Sequence, residues 1–300
     1  MRIARLNVTT LRHKNKSVPT HQSDEKSEWS IRHTPMVRVM HWVNVICFII
    51  LLMSGLNIFN SNSMLFWGKS SYNGTEPLLK IKAEQSEQGN LIGVTTIFGH
   101  SFNTTGLLGI SKVDGVVTQR AFPSWLTIPD IKWLALARLW HFFFAWLFVI
   151  NGVMYVVYSV TSRHLARDLA PTKQDWQGIG QSIKDHIKLK HPKGEAAKHY
   201  NILQKLAYLI VIFVLLPMLI LMGLAMSPMS DTIITGWVDI VGGRQSARTL
   251  HFVAAFALVG FIFIHVFEVM ISGLWNNMRS MMTGRYRIEL DANDQNGSGS

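Results

Sequence analysis

The sequence predicts an all-α integral membrane protein built as a four-helix transmembrane bundle, and three observations carry that prediction. Apolar residues gather into four long blocks, the blocks stay apolar on every face, and basic residues collect on alternate connections. A surface helix would show one apolar stripe, and a soluble core helix is rarely this long. Each block reaches the roughly 20 residues that a helix needs to cross a bilayer core of about 30 Å.

The elements follow in order. Residues 1–36 are polar, rich in Ser, Lys and His, and read as a disordered tail. The bundle occupies 37–276, with helices expected at about 37–59, 133–160, 203–226 and 247–274. A loop of unusual length, 60–132, joins the first two, and 161–202 joins the second to the third. Residues 277–300 read as a second tail. Pro217 is expected to kink the third helix.

Charge sets the orientation. Residues 1–38 hold eight Lys/Arg against three acids, and 161–200 hold eight against four. The connection 227–246 has only Arg244. Positive residues stay inside, so the N- and C-termini and 161–202 are cytoplasmic and the loop 60–132 is periplasmic. The net charge of +11 is accounted for by these segments, which serve as topology signals and lipid-facing surface and leave no case for a nucleic-acid partner. The one cysteine, Cys47, excludes an intrachain disulfide and a cysteine-ligated cluster. Asn73 and Asn103 match glycosylation acceptors, a pattern that arises often by chance.

Twelve histidines are present, and four of them, His41, His141, His251 and His265, lie within the apolar blocks. A histidine in hydrocarbon is costly unless its nitrogen is used. His251 and His265 are fourteen positions apart. On a helix that is about 1400°, within roughly 40° of four full turns, with a rise of about 21 Å. They point to nearly the same side at opposite depths, so no single metal ion can use both. Two stacked haems can, each iron taking axial imidazoles from facing helices. Helix direction supplies the partners: His141 enters at the depth of His251, and His41 at that of His265. Four histidines filling unrelated polar niches would not produce this match of depths.

Other residues fit less specifically. Arg38, Arg138 and Arg248 stand three positions before His41, His141 and His251, placed either to pair with haem propionates or to anchor span ends at the interface. Gly55, Gly152, Gly223 and Gly260 interrupt apolar runs, which suits close approach of a porphyrin or ordinary helix packing.

MHW at the first span, WHFFFAWLF in the second and GGRQSARTLHF with HVFEVM in the fourth resemble the bacterial di-haem cytochrome b family. That family includes cytochrome b561-type proteins and the b subunits of nickel–iron hydrogenase, formate dehydrogenase and thiosulfate reductase. HYNILQKLAYLIVIFVLLPMLILMGLAMSP and RHLARDLAPT resemble the branch associated with sulfite-oxidase-like molybdopterin enzymes. The resemblance covers most of 33–287. It implies the same four ligands, with His141/His251 on the periplasmic side and His41/His265 on the cytoplasmic side. It also implies a multi-pass protein of the bacterial inner membrane that transfers electrons between the quinone pool and a periplasmic oxidoreductase.

The quinone site is then expected near His41 and His265, with Trp42, Asn44 and Glu268 as candidates. Glu268 is the one acid within a span, suited to proton relay or to snorkelling at the interface. Some relatives carry a fifth helix, of which this sequence shows no convincing sign. The loop 60–132 suits a docking surface for a periplasmic redox protein, or a lid. Membrane lipid is an implied partner, and an oligomer is compatible with the sequence. A self-contained quinone-linked oxidase or reductase of a small external oxidant, such as superoxide or ferric ion, is the alternative function. A haem-free transporter is disfavoured by the lack of polar midplane residues and broken helices.

Overall fold

A computed structural model of the chain describes residues 27–71, 74–113, 115–188 and 201–289. The tail over 1–26, the segment 189–200, Asn73 with its acceptor pattern and the final residues 290–300 lie outside the described residues. Among the described residues four helices are long and apolar enough to cross a membrane: Pro35–Ser61, Leu134–Thr161, Ile202–Ala225 and Arg244–Ile271. Their ends differ from the sequence expectation by at most three residues.

Local chemistry sets those ends. Thr34 caps the first span by accepting from the Val37 N–H, and Pro35 sits where a helix needs no amide donor. Asn201 and Gln204 form a reciprocal capping box at the start of the third span. Gly243, at φ 103°, admits the chain to the fourth span, and Gly273, at φ 104°, releases it. The third helix, in which a kink is expected at Pro217, runs on through that residue. A π-helical turn over Val211–Leu215 precedes the proline and shifts the bonding by one residue, so that Leu216 N–H reaches the Val211 carbonyl.

The first span packs against the second and the third against the fourth, with much sparser contact between the two pairs. Large apolar side chains point outward: Phe143 is 64% exposed, Trp146 62% and Phe263 72%. In water such a surface would be an aggregation patch, and in lipid it is the solvated face.

The all-α expectation holds for the bundle and fails outside it. The 60–132 connection folds as β-structure. An antiparallel sheet in the order β2 (Met64–Leu65), β3 (Leu79–Gln85), β4 (Leu91–Ile97), β5 (His100–Asn103) packs beside a hairpin of β6 (Gly109–Val113) and β7 (Val116–Arg120). Alternation in LKIKAEQ, with Ile81 buried between half-buried lysines, is the two-residue period of a half-buried strand. Gly93 and Gly109 let the hairpin cross the sheet. A side chain at Gly93 would lie 2.0 Å from the Leu108 carbonyl oxygen, which no substitution can accommodate.

This β-domain is joined to the helix ends by a shared core. Leu56 and Phe59 of the first span cluster with Leu65, Ile81, Ala121 and Phe122, and Phe252 of the fourth span packs on them. Buried polar side chains close the seam. Asn60 donates to the Phe122 carbonyl and accepts the Phe122 N–H, at 3.2 and 2.7 Å. Asn57 donates to the carbonyls of Pro129 and Ile131. Arg120, 2% exposed, donates to the Asp130 carbonyl and to Thr127 Oγ1, and burial lowers its affinity for a proton. Thr249 of the fourth span donates to the Phe66 carbonyl at 2.7 Å.

At the opposite end the two expected tails also acquire structure. β1 (Ser27–Ile31) pairs antiparallel with β8 (Arg285–Glu289), which sets the two ends of the described chain on one side of the bundle. A short amphipathic helix, Leu274–Thr283, precedes β8 and ends at Gly284, φ 84°. It is too short to span, and no fifth spanning helix occurs among the described residues. Between the second and third spans, Asp175 receives a hydrogen bond from Lys205 Nζ at 2.8 Å and caps the helix Lys173–Gln177 with Thr172. The Lys205 contact, ahead of the Thr172 backbone N–H, holds its carboxyl below the usual range.

Candidate functional site

The fourth span carries His251 and His265 on one continuous helix, and each meets a histidine from another span. The rings of His141 and His251 have centroids 6.3 Å apart at 65°. Those of His41 and His265 are 6.4 Å apart at 64°. The two pairs are therefore alike in spacing and tilt. The first lies towards the β-domain and the second towards the β1–β8 ribbon, about 21 Å apart by helix rise.

In the first pair, hydrogen bonds settle which ring nitrogen is free. His251 Nδ1 lies 2.8 Å from the Leu219 carbonyl oxygen, which can only accept, so Nδ1 carries the proton. Ser54 Oγ donates to the Ile50 carbonyl at 2.6 Å, which leaves its lone pairs to accept from His141 Nδ1 at 3.0 Å. Both imidazoles thus present an unprotonated Nε2, the form that binds a metal, in an orientation fixed by the other nitrogen. Among the described residues His41 and His265 have no such hydrogen-bond partner; the His265 ring stacks on Phe261 at 6.0 Å.

Small residues make room for the first pair. A Cβ on Gly55 would stand 3.2 Å from His141 Cε1, and one on Gly223 would stand 3.4 Å from His251 Cε1. Gly152 and Gly260 have nothing within 4 Å of such a position. Close approach to a histidine ring thus explains two of the four glycines singled out from sequence.

The donor set fits a metal held in a macrocycle and does not fit a bare ion. Among the described residues no three His, Cys, Asp or Glu side chains gather as a metal cage. Two imidazoles alone complete a metal whose other four positions belong to a porphyrin. Metal–nitrogen bonds of roughly 2 Å on each side, plus the distance from nitrogen to ring centre, place two axial imidazoles about 6.3 Å apart, the spacing seen in both pairs.

The remaining candidates divide. Arg248 donates to the Asn62 carbonyl and lies over the Phe59 ring at 5.7 Å. Arg38 donates to the Met282 carbonyl at 2.6 Å, and its Nε is buried without a partner. Arg138 lies over Phe142 at 5.9 Å. Asn44 accepts from Asn151 Nδ2 at 2.8 Å, and Asn151 also donates to the Met40 carbonyl. Trp42 Nε1 donates to the Met281 carbonyl. Glu268 is 3.6 Å from His186 Nε2, at the ribbon end of the bundle with the His41/His265 pair. Cys47 is fully buried and free.

Sequence reasoning missed Ser54, Asn151 and the Leu219 carbonyl. Ser54 and Asn151 carried a faint signal, each being a polar residue directly before a glycine in an otherwise apolar run. A backbone carbonyl carries none.

A relative from Azospira oryzae, named as subunit YedZ1 of a protein-methionine-sulfoxide reductase, is 25% identical over 234 residues, 78% of this chain and 87% of its own. No solved structure matches the chain. The family model of prokaryotic cytochrome b561 matches residues 32–284. The chain therefore belongs to the prokaryotic cytochrome b561 family, membrane proteins that carry b-type haem and transfer electrons.

Proposed function

We propose that the protein holds two b haems, one between His141 and His251 and one between His41 and His265, and passes single electrons across the bacterial inner membrane. The carrying observation is the pair of imidazole couples, alike in spacing, that a single helix sets at two depths. When bound, haem iron supplies reversible one-electron chemistry. The protein's part is to present bare Nε2 atoms, through Ser54 and the Leu219 carbonyl, and to shield the pairs from water with apolar helix faces.

At the ribbon end, which the basic segments assign to the cytoplasm, quinone exchanges electrons with the His41/His265 level. Asn44 orients it there, and Glu268 with His186 moves the accompanying proton. At the other end the β-domain is the docking surface for a periplasmic oxidoreductase. The name of the Azospira relative supports an enzyme that acts on methionine sulfoxide in proteins, and the sequence resemblance supports a molybdopterin one. Arg38, Arg138 and Arg248 stand at the right depths to pair with haem propionates.

A dithionite-minus-oxidised visible spectrum of the purified protein, with haem counted per chain, tests the reading. About two low-spin b haems per chain are expected from two bis-histidine sites. One haem overturns one pairing, and none overturns the electron-transfer reading. Reduction of superoxide or ferric ion by the purified protein alone would replace the docked enzyme with self-contained catalysis.

Ser54→Ala should raise the midpoint potential of one haem only. Loss of the Nδ1–H···O bond makes His141 a poorer donor and destabilises the oxidised metal. A neutral hydrogen bond of about 0.5–1.5 kcal/mol corresponds to roughly 20–60 mV for one electron, measurable by redox titration.

A further inference from the structure

Two residues, Ser272 and Gly273, separate the end of the fourth span from the amphipathic helix Leu274–Thr283, which keeps this helix at the level where the span leaves the hydrocarbon. Its exposed face carries Trp275 (81% exposed), Met278, Met282 and, between them, Arg279. Among the described residues nothing buries these apolar side chains. The stripe of apolar residues with an arginine is the pattern of a helix lying in the headgroup region.

Beside it stands the β1–β8 ribbon. Trp29 is opposite Arg287 and Ile31 opposite Arg285, so these four share one face of the ribbon. Hydrogen bonds join helix and ribbon. Asn276 donates to the Arg287 carbonyl at 2.7 Å and accepts the Arg287 N–H at 2.9 Å. Thr283 Oγ1 accepts the Arg285 N–H at 3.2 Å. Trp42 and Arg38 of the first span donate to the carbonyls of Met281 and Met282.

Between helix and ribbon lies a hollow of about 460 Å³ lined by Trp29, Arg279, Thr283 and Arg285. The Arg279 guanidinium sits 5.3 Å above the Trp29 ring, which orients it. Two guanidinium forks and a hydroxyl around a hollow match phosphate oxygens, which arginine binds through two N–H donors at once. The exposed Trp29, Ile31, Trp275 and Met282 around them match acyl chains.

We propose that this hollow binds the phosphate headgroup of an anionic phospholipid, with its acyl chains laid along the Trp275–Met282 face. The apolar rim selects a lipid over a free phosphate compound. The proposal rests on the membrane placement and not on the haem assignment, so the two fail separately.

The test is the full-length protein purified in detergent with phosphatidylglycerol and phosphatidylethanolamine supplied in equal amounts, retained lipid being counted after detergent washing. Wild-type protein should retain phosphatidylglycerol selectively. The R279Q/R285Q variant should hold it less tightly by roughly five-fold for each arginine removed, with phosphatidylethanolamine unchanged. R279K/R285K keeps the charge and should retain more than the glutamine variant, which separates loss of the site from loss of the fold. Equal retention of both lipids by the wild type overturns the proposal. So does unchanged phosphatidylglycerol on R279Q/R285Q, or its displacement by excess inorganic phosphate.

Discussion

Replacement of His251 by alanine is expected to remove about half of the bound haem, and His141→Ala should remove the same half. Each imidazole of the pair faces its partner across 6.3 Å, so loss of either would leave a haem at that level held by a single protein nitrogen. Low-spin character at that level disappears, and haem is lost on purification. His41→Ala and His265→Ala should remove the other half, because their rings meet each other on a different level. The decisive comparison uses double variants. H141A/H251A should look like either single variant, whereas H41A/H251A should be nearly devoid of low-spin haem. Pyridine-haemochrome counts and the reduced α band read both. If H141A/H251A lost all haem and H41A/H251A kept one, the pairing would be wrong.

A second large effect is expected where nothing polar is changed. Gly55→Val and Gly223→Val should each abolish the His141/His251 haem and spare the other. A first side-chain carbon at Gly55 already stands 3.2 Å from His141 Cε1, and one at Gly223 stands 3.4 Å from His251 Cε1. Two further methyl groups in a helix have one strongly preferred rotamer and cannot turn away freely. The imidazole must move instead, breaking its bond to Ser54 or to the Leu219 carbonyl. Gly260→Val is the control. It lies nine residues from His251, half a turn around the helix, and a Cβ there meets nothing within 4 Å. Its haem content should match the wild type, while an equal loss in Gly260→Val would assign the effect to helix disruption. Because the predicted loss from Gly55 and Gly223 variants copies that of H141A, the two sets of spectra test one another.

The four spans, their order and the depth at which each histidine enters are legible in the amino-acid sequence. These follow from rules that act within one helix: 3.6 residues per turn, 1.5 Å of rise, and a hydrocarbon layer of fixed thickness. Basic residues on alternate connections fold into the same local accounting. What touches the histidines depends on how the helices pack. Ser54 reaches His141 across 87 positions, and the Leu219 carbonyl reaches His251 across 32; neither pairing leaves a periodic trace.

The β-domain escaped notice for a related reason. Its strands are two to seven residues long, and they are ordered by contacts such as Asn60 with Phe122 and Thr249 with Phe66, which join distant parts of the chain. The ribbon of Ser27–Ile31 with Arg285–Glu289 is the extreme case, since it pairs the two ends of the described chain. Helices in lipid must satisfy their own backbone groups and so declare themselves in the sequence. A strand's partner lies elsewhere in the chain, and only the folded structure can supply it.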